Sequence, residues 1–183
     1  RGYREASAFI MEGGAKHIST QVPVSQVYLG VGSNIDARCN ILSGIEALRE
    51  TFKGVEFSPI YRAPAVGFRG KDFLNLVARV DTDLQPLELR DYLHALEDRH
   101  GRDRSRPKFS DRTLDIDILL YDDLYLLVPT LEIPRDEIMT SAHVLRPLAE
   151  LAPDLVHPVL RRTMAELWGE FPDQDAGLEP IEL

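Results

Sequence analysis

Phe73-Leu74-Asn75-Leu76-Val77-Ala78-Arg79-Val80-Asp81 is the segment from which the fold can be read. Successive side chains of a strand project to opposite faces, so Leu74, Leu76, Ala78 and Val80 share one face and Phe73, Asn75, Val77 and Arg79 the other. The aliphatic face predicts packing on helices; the mixed face is free for chemistry. Downstream, Pro86 suits a helix start, and Leu89, Tyr92, Leu93 and Leu96 form a stripe that Gly101 ends, predicting a helix over 86–100. Leu114 to Tyr121 then reads as a strand, with a hairpin through Asp122-Asp123 into Leu124 to Val128. Upstream, Pro64, Gly67 and Gly70 mark a loop, and a strand is expected near Glu56 to Arg62. Before it, Ile41, Leu42, Ile45 and Leu48 recur at helical spacing across 37–51, with Asp36 as cap, after a short strand from Val27 to Gly32. The order β, α, β, β, α, β predicts an α+β sandwich, with helices on one face of a mainly antiparallel sheet. A further short helix is expected from His143 to Leu151.

At 183 residues and 20.7 kDa the chain fits one domain. Ordinary hydrophobic and charged content excludes collagen-like, disordered and disulfide-scaffold classes. No apolar run approaches the ~18 residues of a bilayer span, and no membrane association is expected. Thirty Asp and Glu against 21 Lys and Arg leave a net charge of −9, which argues against general affinity for nucleic acid. Cys39 is the single cysteine and nothing resembles a secretion signal, so a cytoplasmic location is expected. Residues 1–25 lack periodicity and read as an extension, 26–165 as the functional domain, and 166–183, with six acidic and no basic residues, as a solvated acidic tail.

The sharpest chemical signal is Arg112-Thr113-Leu114-Asp115-Ile116-Asp117-Ile118. In a strand Asp115 and Asp117 face one way, with Cα atoms roughly 7 Å apart, while Leu114, Ile116 and Ile118 face the core. Such a pair suits one or two hard cations shared with phosphate oxygens; it also suits a charged strand edge that discourages aggregation. Just before it, Arg99, Arg102, Arg104, Arg106, Lys108 and Arg112 face only Asp103 and Asp111, a local excess of four positive charges inside an acidic chain. Arginine's forked donors match phosphate oxygens, and a loop can close them on a polyphosphate. Phe73 beside Asn75 suits a flat heterocycle, stacked on the ring and read at its edge by the amide, although such pairs also occur in plain sheet packing. Gly30-Val31-Gly32-Ser33-Asn34 lacks the third glycine of a dinucleotide fingerprint, Ile35 standing there, and Gly67-Phe68-Arg69-Gly70-Lys71 is not a Walker loop. The histidines show no metal-ligand spacing, and His17, His94, His100 and His157 are expected at the surface or in packing.

These segments, together with Ser58-Pro59-Ile60-Tyr61-Arg62-Ala63-Pro64 and Val144-Leu145-Arg146-Pro147-Leu148, resemble in order and spacing the 6-hydroxymethyl-7,8-dihydropterin pyrophosphokinases of folate biosynthesis. The resemblance covers roughly 27–160, and its Arg-Thr-Leu-Asp-x-Asp run is its most specific part. It implies a ferredoxin-like fold and transfer of pyrophosphate from ATP to a reduced pterin's hydroxymethyl group, releasing AMP. It also implies two Mg²⁺ held by Asp115 and Asp117. Carried over by position, Ala63, Pro64, Val66, Phe73, Asn75, Phe109 and His143 are expected at the pterin. Glu97, Arg102, Arg104, Arg112, Ile118 and Arg135 are expected at the nucleotide, with Arg102 and Arg112 among the catalytic residues.

The chain departs from that family pattern at several positions. Phe73 stands where Tyr is common and Phe109 where Trp is, both keeping an aromatic face. Arg135-Asp136 replaces a frequent His-aromatic pair, Ser141 an Arg, and His143 a Phe that stacks on the pterin. The lost Arg should weaken polyphosphate contacts unless Arg135 compensates, and protonation of His143 would add pH dependence. These changes define the alternative: a divergent paralogue that binds pterin or nucleotide without turnover.

Overall fold

The alternating segment becomes β4 (Phe73–Thr82), a central strand of the sheet. The computed structural model describes residues 23–183 except 106, 108, 109 and 175. Before β4 come β1 (Ser25–Ser33), α1 (Ala37–Thr51), β2 (Lys53–Phe57) and β3 (Ile60–Ala63). After it come α2 (Pro86–Arg99), β5 (Asp115–Tyr121), β6 (Leu126–Val128), β7 (Leu131–Ile133), α3 (Glu137–Thr140), α4 (Ala142–Leu151), α5 (Met164–Gly169) and β8 (Glu179–Ile181). The main sheet runs β5-β1-β4-β3-β8, with β2 also on β4, and every pairing is antiparallel. With β2 and β3 taken as one interrupted strand, the βαββαβ order and the antiparallel sheet are as expected.

The two faces of the sheet carry separate cores. Leu74, Leu76, Ala78 and Val80 pack with Val27, Leu29 and Val31 of β1 against Ile41, Ile45 and Leu48 of α1 and Leu89, Leu93 and Leu96 of α2. On the other face Tyr28, Val77 and Leu119 meet Ile138, Leu145, Leu148, Met164 and Leu167 of α3, α4 and α5. Thus α1 and α2 share one face, while the C-terminal helices cover part of the face expected to be free. The remainder of that face is open.

Several local expectations are corrected. The single strand near 56–62 is two, because Pro59 has no N–H to offer a ladder. Ser58 continues the pairing across the break: its N–H donates to the Val77 carbonyl and its Oγ accepts the Val77 N–H, both at 2.9 Å. Asp36 precedes α1 in the left-handed region, φ 43°, and its side chain caps nothing. Leu42 lies on the exposed side of α1. Strand β6 pairs with β7 in its own two-stranded sheet, not with β5. At the end of β5, Asp122 instead ties back to Gln26 of β1 by two hydrogen bonds of 2.8 Å.

The acidic stretch after Glu166 belongs partly to the fold. Glu166 completes a capping box with Thr163 at the start of α5, whose Met164 and Leu167 are buried, and β8 pairs with β3. Glu166, Glu170, Asp173, Glu179 and Glu182 are exposed there. Residues 1–22, the bulk of the expected extension, lie outside the described residues. No helix among the described residues is long and apolar enough to cross a membrane.

Candidate active site

The open part of the sheet face owes its shape to two glycines. Leu29 and Val31 of β1 point into the core, so Gly30 and Gly32 face the other way, where side chains would stand. Gly32 lies between Asn75 of β4 and Asp115 of β5, and Gly30 between Val77 and Asp117. A Cβ on Gly32 would come within 3.1 Å of Asn75 Oδ1, and one on Gly30 within 3.3 Å of Leu119 Cδ2. The glycines therefore floor a cavity of about 240 Å³. Glycine inside a strand commonly marks a close approach of another group, and that signal is present in the sequence at Gly30 and Gly32.

One wall of the cavity is apolar. Ala63, Pro64, Val66, Phe68 and Phe73 form it, with the Phe68 and Phe73 rings edge to face at 6.3 Å, and His143 and Val144 line the same cavity. Asn75 sits at its base, and its Nδ2 is buried without a hydrogen-bond partner. Leaving such a donor unpaired costs about 1–3 kcal/mol, so a buried orphan calls for a reason. Burial also lowers the His143 pKa below its usual value, which favours the neutral ring. The expected pH dependence from His143 is thus moved to more acidic conditions.

The opposite wall is charged. Asp115 and Asp117 both line the cavity from one face of β5, as alternation predicts, while Ile118 packs in the core on the reverse face. The Ile118 side chain, expected at the nucleotide, lies in the core on the far side of β5 from the cavity. Asp115 Oδ1 pairs with Arg102 Nη1 at 2.5 Å, and Oδ2 pairs with Arg112. Asp117 Oδ1 meets Arg135 Nη2 at 3.3 Å. Arg135 reaches it because its backbone N–H donates to the Leu119 carbonyl at 2.9 Å, running the segment after β7 along the edge of β5. Burial, and then the neighbouring Asp115 charge, raise the Asp117 carboxyl to about 7, with Arg135 opposing. The pair thus has more negative charge than its surroundings accommodate comfortably.

Glu97, expected near the nucleotide, braces β5 from α2. It is only 2% exposed, accepts the Ile116 N–H at 2.7 Å through Oε1 and pairs with Arg104 at 2.8 Å through Oε2. A second cavity of about 220 Å³ is lined by Arg102, Arg104 and Arg112 with Asp103 and Asp111, and adjoins the first through Ser110 and Arg112. Phe109, Arg106 and Lys108 lie outside the described residues.

The Gly-Ser-Asn turn turns out to be a clamp. Asn34 Oδ1 accepts the Arg112 N–H at 2.7 Å, while its Nδ2 donates to Asp111 at 2.6 Å and to the Lys71 carbonyl at 3.1 Å. It thereby fastens the basic loop and the loop before β4 to the end of β1. Ser110, Glu137 and Ser141 also line the main cavity; of these, only Ser141 stood out in the sequence, as a departure.

Comparison with known proteins agrees with this geometry. A family model described as 7,8-dihydro-6-hydroxymethylpterin-pyrophosphokinase matches residues 28–153. The chain is 36% identical over 145 residues to 2-amino-4-hydroxy-6-hydroxymethyldihydropteridine pyrophosphokinase of Aquifex aeolicus, covering 78% of this chain and 90% of that one. To the enzyme of that name from Pseudomonas aeruginosa it is 41% identical over 140 residues, covering 74% and 85%. Among solved structures, Plasmodium falciparum HPPK-DHPS with pteroate superposes with a TM-score of 0.73 at 13% identity, over 90% of this chain, which spans 45% of that one. That likeness concerns the fold. With matched residues running from β1 through α4 and both relatives covered over most of their length, this chain belongs to the 7,8-dihydro-6-hydroxymethylpterin-pyrophosphokinase family.

Proposed function

We propose that this chain transfers pyrophosphate from ATP to the hydroxymethyl group of 6-hydroxymethyl-7,8-dihydropterin, giving the pterin diphosphate and AMP in folate biosynthesis. One observation carries the site assignment: the buried, unpartnered Asn75 amide lies across the glycine floor from Asp115 and Asp117. A pterin whose edge satisfies Asn75, lying between Phe73 and the neutral His143, directs its hydroxymethyl arm toward the charged wall.

Catalysis rests on positioning and charge neutralisation. The hydroxymethyl oxygen attacks the β-phosphorus of ATP; its bond to that phosphorus forms as the bond to the α,β-bridging oxygen breaks. The bridging oxygen leaves with AMP, and the hydroxyl proton passes to solvent. Arg112 borders both cavities and, with Arg102 and Arg104, offers forked donors to phosphate oxygens. Arg135 supplies a further cation beside Asp117, in a site where Ser141 supplies none.

Mg²⁺ fits this wall. Two carboxylates on one face of a strand are hard oxygen donors, and the raised Asp117 carboxyl reports an unmet demand for positive charge. Asp115 and Asp117 would hold the ions, two in number, and the metal's contribution when bound is to neutralise the polyphosphate and polarise its oxygens. We place the reaction in the cytoplasm, in keeping with a lone free cysteine.

The test is direct. Purified protein with Mg²⁺, ATP and 6-hydroxymethyl-7,8-dihydropterin should release AMP and form the pterin diphosphate in equal amounts. Pterin binding with no AMP release would leave only a binding module.

A further inference from the structure

The apolar wall of the cavity is itself supported from outside by the C-terminal segment, beyond the residues that the family model matches. Strand β8 lies on β3 with Ile60 opposite Ile181, Tyr61 opposite Pro180 and Arg62 opposite Glu179. Arg62 and Glu179 pair at 3.0 Å, and Ile181 and Leu183 pack against the main core. Without β8 the strand that leads into Ala63 and Pro64 would be the outer strand of the sheet. Just before β8, Gly177 adopts φ +70° and lies against Pro64: a Cβ there would stand 3.2 Å from Pro64 Cγ and 3.3 Å from Cδ. Pro64 thus has the cavity on one side and Gly177 on the other.

We infer that residues 176–183 act as a strap that sets the position of the Ala63–Val66 wall, and that Gly177 is a positioning residue for the pterin. The inference rests on the proposed pterin site. Its physical basis is that a wall on a short strand is held only as firmly as its outer neighbour allows. The Arg62–Glu179 pair is exposed and contributes little by itself, so the backbone pairing and the Gly177–Pro64 contact carry the effect. Among the described residues the strap pairs with β3 and lies against Pro64, whereas the nucleotide side of the site is built on β5 and the loop before it.

The variant Gly177→Ala in the full chain tests this, since the added methyl must push Pro64 or be pushed by it. Calorimetric titration of 6-hydroxymethylpterin into protein saturated with Mg²⁺ and a nonhydrolysable ATP analogue should show pterin affinity lowered about tenfold. Affinity for the analogue alone should stay within about twofold of wild type, a split that general loss of stability does not produce. On a Pro64→Ala background, which removes the ring atoms, Gly177→Ala should have little further effect on pterin affinity. Unchanged pterin affinity, parallel loss of both ligands, or full additivity with Pro64→Ala would each overturn the strap. A wild-type protein that binds no pterin would overturn the functional reading, and the strap with it; binding by the wild type with an unaffected variant would overturn the strap alone.

Discussion

The Glu97 carboxylate accepts the Ile116 N–H at 2.7 Å, midway between the two aspartates of β5. The strand that presents the charged wall is therefore held from α2 by a buried acid whose other oxygen is neutralised by Arg104. Removing that acid strips a buried N–H of its partner and leaves Arg104 without its buried counter-charge. Glu97→Ala should lower stability by about 2–4 kcal/mol, read as a lower urea midpoint. Glu97→Gln retains an acceptor for Ile116 and should lose less than half as much. If both variants are as stable as wild type, Glu97 is not the brace described.

Asp117→Asn should leave the fold intact and reduce Mg²⁺-dependent turnover by about 100-fold or more, as removal of a principal charge-stabilising group does. Because burial and the Asp115 charge both oppose ionisation of Asp117, its thermal midpoint should be unchanged or higher. Turnover within a few-fold of wild type would refute the metal assignment.

Asn75 offers a sharper separation of function from stability. Its Nδ2 has no partner among the described residues, so Asn75→Leu removes an orphan donor and should be neutral or mildly stabilising. The same change should weaken pterin binding by about 1.5–3 kcal/mol, or roughly 10- to 100-fold, with nucleotide affinity retained. Equal loss of both ligands would indicate that Asn75 supports the sheet only.

His157 predicts an acid-sensitive contribution to stability. It is buried, its Nδ1 accepts the N–H groups of Val159 at 3.3 Å and Leu160 at 3.2 Å, and burial lowers its pKa below 6.5. A base with a depressed folded pKa binds fewer protons folded than unfolded, so its contribution is complete above the unfolded pKa and is lost as pH falls through the folded one. Urea midpoints should therefore drop more steeply between pH 7.5 and 5.5 for wild type than for His157→Gln. Parallel pH profiles would contradict this account.

Much of this was legible in local pattern. Alternation in 73–81 told which side chains of β4 meet the core, and the same rule put Asp115 and Asp117 together and Ile118 behind them, although family position had suggested a nucleotide role for Ile118. The split of β2 from β3 was less visible, since Ser58 restores the pairing that Pro59 interrupts by using its side chain, which propensity does not register. Glu97 was expected at the site only by its place in the family pattern; the approach of α2 to β5 shows its carboxylate engaged by the Ile116 N–H and Arg104.

The sequence by itself determined the βαββαβ plan up to the break at Pro59, the core face of β4, the paired aspartates and the surplus of arginine before them, because period and composition are properties of neighbouring residues. Tertiary structure alone decided what those residues enclose. It aligned Gly30 and Gly32 with Asn75 on one side and the aspartates on the other, distributed three arginines between two carboxylates, and laid an acidic C-terminal segment against Pro64. Register between strands is fixed by packing and hydrogen bonding over the whole sheet, so a cavity built from the absence of side chains becomes visible only once those strands lie side by side.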